Sequence, residues 1–151
     1  MNVTIRIQTV AFDFAREVDA LSRGGVGAVA TFTGYVRGED GLSALILEHY
    51  PGMTERQIAR AATEAERRWP LLGVTVVHRI GELRPGDPIV FVAVAAGHRA
   101  DAFAACEFLM DHLKTKATFW KQERRGGRTH WVDAKASDDQ AVERWFGKPS
   151  E

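Results

Sequence analysis

The sequence has 151 residues, which suits a single domain spanning residues 1–151 with one sizeable core. Its 20 basic side chains equal its 20 acidic ones, and 45% of its residues are hydrophobic, so an overall attraction to nucleic acid or to a membrane surface is excluded and any anion must be recognised locally. The single cysteine, Cys106, excludes an intramolecular disulfide and a zinc site built from several thiolates.

The N-terminus has no basic start followed by a long apolar run, as a secretory signal would have. No stretch of about 18 consecutive apolar residues occurs that would cross a membrane. We therefore expect a cytoplasmic protein.

Hydrophobic periodicity, capping residues and turn residues predict eleven elements in chain order. Strands are expected at 3–7, 26–36, 43–50, 74–80, 89–96, 119–123 and 129–133, and helices at 13–21, 54–69, 99–115 and 137–146. Thr54 and Gln57 fit a capping box for the second helix, and the alternation of residues 74–80 predicts a strand. Several strands follow one another without a helix between them, which favours an α+β fold with a mixed, mostly antiparallel sheet over a doubly wound parallel sheet.

The strand at 89–96 is apolar on both faces, so we expect it to be central and covered by helices. In the helix at 99–115, apolar residues recur at helical spacing and predict the buried face: Phe103, Cys106, Met110 and Leu113. Cys106 is therefore expected to be buried and inert.

Basic side chains stand at both ends of this helix. His98 and Arg99 lie at its start, where free backbone N–H groups and the helix dipole favour an anion. Lys114, Lys116 and Lys121 lie at or beyond its end, where cations are expected for stability alone. The alternative is a lysine whose pKa is lowered by crowding and burial beside aromatic rings, which would make it a better nucleophile or proton acceptor.

The length of the helix constrains any shared role of its two ends. His98 and Lys114 are about 16 residues apart, which corresponds to about 24 Å along a continuous helix. One small anion cannot touch both. If both ends serve one pocket, the second end must come from another copy of the chain, and the protein is an oligomer with its site at the interface.

Other polar residues are ambiguous on their own. Arg37 follows a strand in a glycine-bearing loop, where binding residues often occur, although a solvated surface charge is the simpler interpretation. Phe32 is interpreted as core, and His49 and His78, which fall in strand patterns, as structural. No metal-binding spacing of histidines or cysteines occurs, so a metal site is not expected.

Over residues 26–145 the sequence resembles the large, catalytic subunit family of molybdopterin synthase. The matching pieces are residues 30–37, 47–53, 78–83, 85–87, 98–99, 110–115 and 119–121. The resemblance implies an α/β hammerhead fold and a homodimer that binds two small ubiquitin-like sulfur-carrier subunits, giving a heterotetramer. The carrier's C-terminal Gly-Gly tail, bearing a thiocarboxylate, would deliver sulfur to cyclic pyranopterin monophosphate and form the molybdopterin dithiolene. Such a sulfurtransferase needs no metal or other cofactor in this subunit.

The same resemblance assigns roles to residues. Lys114 and Lys121 match the family's active-site lysines. The expected substrate-binding residues are Arg37, His98, Arg99, Phe32, Met110 and Lys135, of which Lys135 stands where arginine is common. In the family, the pocket lies near the dimer interface and draws residues from both copies, in agreement with the helix-length argument.

Two other classes of function stay open from the sequence. One is a non-catalytic module that binds a ubiquitin-like partner or a small anion. The other, a nucleic-acid-binding domain, is disfavoured by the zero net charge.

Overall fold

The computed structural model describes residues 1–132 and 136–146, the latter without the side chains of 136–139. The elements in chain order are β1 (Asn2–Gln8), α1 (Phe14–Leu21), β2 (Ala28–Tyr35), β3 (Leu42–His49), α2 (Met53–Arg68), β4 (Leu71–Arg79), β5 (Gly81–Leu83), β6 (Pro88–Ala96), α3 (Arg99–Thr115), β7 (Phe119–Arg125), β8 (Arg128–Val132) and α4 (Ala136–Phe146). All eleven predicted elements are present. The additional strand, β5, has three residues, too few to show an alternating pattern. Among the described residues, no helix is long and apolar enough to cross a membrane.

The strands form two sheets of four rather than one sheet. The first sheet has the order β1-β4-β6-β2, in which only the β1–β4 pair is parallel. The second sheet has the order β5-β3-β7-β8 and is antiparallel throughout. The predicted α+β class and the mostly antiparallel pairing are confirmed.

The main core lies where α2 and α3 cover one face of the first sheet. Strand β6 is central, as predicted: Val92 and Val94 point into the core under α2 and α3, whereas Phe91 and Ala93 pack with α1 on the opposite face. Strand β4 is buried on both faces, because residues 73–78 are all buried. Strand β4 lies between β1 and β6, with helices covering both faces of the sheet.

The buried face of α3 also differs from its prediction. Ala102, Cys106 and Leu109 are buried, but Phe103 is 66% exposed. Its position next to Ala102 turns it about 100° away from that residue around the helix. Cys106 is buried as expected, and burial raises the pKa of its thiol to about 11, so the thiol stays protonated at neutral pH.

The predicted capping box of α2 is wrong, because the helix begins two residues earlier than a Thr54 N-cap requires. Gly52 is the N-cap, and its N–H donates to Glu55 Oε2 at 2.5 Å. Thr54 and Gln57 instead hold Thr118: Thr54 Oγ1 donates to the Thr118 carbonyl at 2.9 Å, and Thr118 N–H donates to Gln57 Oε1 at 2.7 Å. These two bonds fasten the start of β7 to α2.

Gly27 makes space for the segment that leads into α3. A Cβ atom at residue 27 would overlap the carbonyl oxygen of Gly97, the residue before His98. We expect Gly27→Ala to destabilise the fold by about 1–3 kcal/mol, because backbone atoms must move to relieve the overlap. Urea denaturation measures this change. Gly24→Ala is the matched control, since a Cβ atom there meets nothing within 4 Å, and equal midpoints for the two variants would contradict the prediction.

Candidate active site

A cavity of about 360 Å³ lies where the C-terminal end of α3 meets both sheets. Strands β2, β4 and β6 of the first sheet line it together with β3, β7 and β8 of the second sheet and the last two turns of α3. Its polar and charged side chains include His78, Lys114 and Lys121, and Met110 and Phe119 are among its apolar ones. The cavity therefore collects residues that are far apart in the sequence.

Helix α3 places Lys114 at the cavity. Leu113 and Lys114 lie three and four residues after Met110, so each is a neighbour of Met110 on the helix surface. Met110 and Leu113 are 8% and 7% exposed and pack into the main core, whereas Lys114 is exposed. Packing of the two apolar residues fixes the last turn and directs the lysine toward the cavity.

Strand β7 places Lys121 at the same cavity. Lys121 pairs with Leu47 of β3 and with Val132 of β8, so its position is set by neighbours on both sides. Phe119 lies two residues earlier, on the same face of the strand. Because Thr118 is held by α2, the turn between α3 and β7 brings both predicted lysines to one site.

His78 lines the cavity as well, although the sequence interpretation made it structural. Its Nδ1 lies 2.7 Å from the carbonyl oxygen of Arg79, and its ring stacks on Phe119 with centroids 3.8 Å apart. Burial lowers the pKa of His78 to about 4, and the positive charges of Lys114 and Lys121 act in the same direction. The imidazole is therefore neutral at pH 7. Two sequence signals pointed to it: it is a histidine in a mostly apolar strand, and it begins the matching piece at residues 78–83.

The lowered pKa of His78 predicts a loss of stability in acid. In the unfolded chain this histidine titrates near 6.5 and in the folded chain near 4, so between these values the unfolded state binds more protons. We expect the free energy of unfolding to fall as the pH decreases through this window, by about 2 kcal/mol between about pH 7 and about pH 4.5 from this residue.

Urea midpoints at the two pH values measure the effect in wild type and in His78→Gln, which lacks the titrating ring. His112, whose pKa is also lowered by burial, contributes in the same direction in both proteins. His130→Gln, at an exposed position of β8, is the control and should keep the wild-type acid loss. An undiminished acid loss in His78→Gln would count against the prediction.

The cavity brings together three of the residues predicted for the site, namely Lys114, Lys121 and Met110. Phe32 is not part of the described lining, and it is 39% exposed rather than core. It lies on β2, an edge strand of the first sheet. Lys135 lies outside the described residues.

The other predicted cations lie elsewhere in the chain. Arg37 is exposed in the β2–β3 loop, 3.9 Å from Glu39 Oε1. Arg125 holds this loop by donating to the carbonyl oxygens of Glu39 and Asp40, each at 2.7 Å. His98 is the N-cap of α3 and, like Arg99, is exposed at the end of the helix opposite to Lys114.

The lining is partly apolar and carries two lysines, with no Asp or Glu among its described residues. Such a site suits an anionic ligand with an apolar portion. The chain is thus an α+β protein with a basic cavity between two sheets.

Comparison with known proteins identifies the family. The profile described as "MoaE protein" matches residues 7–116, and the chain belongs to this family. It is 55% identical over 147 residues to the molybdopterin synthase catalytic subunit of Mesorhizobium japonicum, covering 94% of this chain and 92% of the relative.

Solved structures of relatives agree with the fold. The structure of the molybdopterin biosynthesis MoaE protein from Burkholderia ambifaria superposes with a TM-score of 0.84 at 53% identity, covering 95% of this chain and 98% of that one. Molybdopterin synthase from Staphylococcus aureus superposes with a TM-score of 0.79 at 30% identity, covering 84% and 95%. The family resemblance seen in the sequence is confirmed.

Proposed function

We propose that this chain is the catalytic subunit of a molybdopterin synthase. It transfers sulfur from the C-terminal thiocarboxylate of a small ubiquitin-like carrier subunit to cyclic pyranopterin monophosphate, forming the dithiolene of molybdopterin. Relatives named molybdopterin synthase catalytic subunit match this chain over nearly their whole length, and they confirm the predicted class of sulfurtransferase. The observation that supports a site for this reaction is the cavity that Lys114 and Lys121 both line.

The ligands of this reaction suit the cavity. The thiocarboxylate and the substrate's phosphate are anions, and lysine ammonium groups bind both. Apolar residues such as Leu45, Leu47 and Met110 line the remaining wall and limit the access of water. Removal of water strengthens the attraction between the lysines and an anion.

We assign the main role to Lys114. The thiocarboxylate sulfur forms a bond to a carbon of the pterin side chain, from which an oxygen substituent leaves as water. Water then attacks the acyl carbon of the tail, so that the bond between this carbon and sulfur breaks and the tail is released as a carboxylate. Lys114 assists as an acid/base, or as a transient nucleophile at the acyl carbon that water later releases as a carboxylate. Lys121 positions the tail or the substrate.

We further propose a hammerhead-type homodimer with one carrier subunit on each copy, located in the cytoplasm. Large apolar side chains are exposed on β2 and α3, which supports a protein contact there: Phe32, Tyr35 and Phe103 are 39%, 54% and 66% exposed. In this assembly His98 and Arg99 of one copy serve the pocket of the other. The length of α3, which keeps its two ends about 24 Å apart, supports the exchange.

The test of the function is sulfur transfer in solution. The purified chain is mixed with thiocarboxylated carrier and cyclic pyranopterin monophosphate, and formation of the dithiolene is followed. A carrier ending in an ordinary carboxylate is the matched control. Transfer that depends on the thiocarboxylate is expected, whereas carrier binding without any transfer would favour the non-catalytic binding module.

A further inference from the structure

We propose that His78 is a positioning residue of this site, whose Nε2 atom accepts a hydrogen bond from the Nζ group of a cavity lysine and so orients that lysine toward the substrate. This inference rests on the proposed function, because it concerns the lysines assigned to sulfur transfer.

The hydrogen bond at Nδ1 decides which ring nitrogen is the acceptor. The Arg79 carbonyl oxygen only accepts, so the short contact of 2.7 Å requires that Nδ1 carries the proton. A neutral imidazole has one N–H, and Nε2 therefore holds a lone pair. The backbone of β4 thus sets His78 as an acceptor at Nε2.

The ring is also held in place. Its plane lies 17° from that of Phe119 in a stacked contact, and His78 is only 8% exposed. Rotation of the ring would break both the stack and the bond to Arg79. An acceptor fixed in this way can define the direction of a flexible lysine side chain, which otherwise samples many rotamers.

The charged surroundings keep the ring in its acceptor form. Lys114 approaches from α3 and Lys121 from β7, and the positive charge of each disfavours a positive charge on the imidazole. His49 of β3 acts in the same direction. His49 is itself 3.1 Å from Glu55 Oε1, through its Nε2 atom. Burial acts in the same direction and is the larger effect. A neutral ring can accept from an ammonium or an amine, whereas a protonated ring would repel it.

Two substitutions distinguish the positioning role from a purely structural role, in which the ring only stacks and anchors β4. The two roles predict opposite orders of activity for these variants. The amide of Asn reaches the position of Nδ1, so His78→Asn keeps a donor for the Arg79 carbonyl but has no acceptor at the Nε2 position. The longer Gln reaches the Nε2 position, so His78→Gln restores an acceptor there and gives up the anchor. Comparison of the two variants therefore separates the effect of the bond to the Arg79 carbonyl from the effect of the acceptor at the Nε2 position.

The experiment compares kcat, KM and the pH profile of sulfur transfer for both variants in the complete synthase. We expect His78→Asn to lower kcat by about tenfold or more, with KM for the carrier little changed, because a misplaced catalytic group reacts slowly. In the pH profile, the change in rate that follows deprotonation of the lysine should occur at lower pH. The reason is that an ammonium without its acceptor loses its proton more readily. His78→Gln should recover part of the lost rate. His130→Asn, on β8, is the control for an exposed histidine.

Wild-type kcat and pH profile in His78→Asn would overturn the proposal, as would a larger loss in His78→Gln than in His78→Asn. A second measurement does not depend on turnover. In ¹⁵N-imidazole NMR of the resting protein, Nε2 of His78 should be unprotonated, and its signal should shift when Lys114 or Lys121 is replaced by Ala. A protonated Nε2 overturns the positioning role even in an active enzyme. Absence of transfer by the wild type would instead refute the proposed function and leave the NMR result to decide on His78.

Discussion

Replacing Lys114 by Ala is expected to reduce the rate of sulfur transfer by about 10²- to 10⁴-fold, the usual contribution of a positioned acid–base group. The side chain is exposed at the cavity and its backbone lies in the last turn of α3, so its removal creates no void in the core. The free energy of unfolding and the affinity for the carrier should therefore remain close to wild type. Single-turnover formation of the dithiolene, together with calorimetric titration of the carrier, measures both quantities.

Lys116→Ala is the matched control for this substitution. Lys116 is two residues away and exposed, and it is not among the described residues that line the cavity. The bond from its N–H to the His112 carbonyl, which caps α3, belongs to the backbone and survives the substitution. Near-wild-type turnover in Lys114→Ala, or an equal loss in Lys116→Ala, would remove Lys114 from the catalytic role.

The parts of the site that local patterns describe were predictable from the sequence. The helical spacing of residues 99–115 and the strand predicted at 119–123 place Lys114 and Lys121 at the end of one element and in the next, and the family resemblance assigns both to one site. Strand β6 was recognised as central because both of its faces are apolar, and Cys106 as buried because its helix neighbours are apolar.

The parts that depend on distant neighbours were not predictable. His78 acquires its role from Phe119, which reaches it from the other sheet, and from lysines on α3 and β7. The division into two sheets depends on which strands pair with each other. The short strand β5 forms because its three residues pair with β3. Phe32 and Phe103 have apolar side chains that satisfy a strand or helix pattern, yet the single chain leaves both exposed.

These exposed side chains and the length of α3 lead to the second large expected effect, which concerns mixed dimers. If each pocket combines Lys114 of one copy with His98 and Arg99 of the other, Lys114→Ala and the double variant His98→Ala/Arg99→Ala should each be strongly impaired as homodimers. In a mixed dimer of the two, one pocket carries all the substitutions and the other carries none. Random mixing makes about half of the dimers mixed, so about a quarter of the wild-type pockets, and of the wild-type activity, should be restored.

The control is a mixture of Lys114→Ala with Lys121→Ala. Both lysines line the same cavity of the same chain, so every pocket of such a mixed dimer lacks one lysine and no activity should return. Co-expression with two affinity tags isolates the mixed dimers, in which one pocket of two is intact, so about half of the wild-type dithiolene formation per pocket should be measured. If the basic residues at the start of α3 instead served their own chain, the first pair of variants would also fail to recover. Equal inactivity of both mixtures would therefore refute the shared pocket, whereas recovery in the first mixture alone would require that α3 joins two active sites across the dimer.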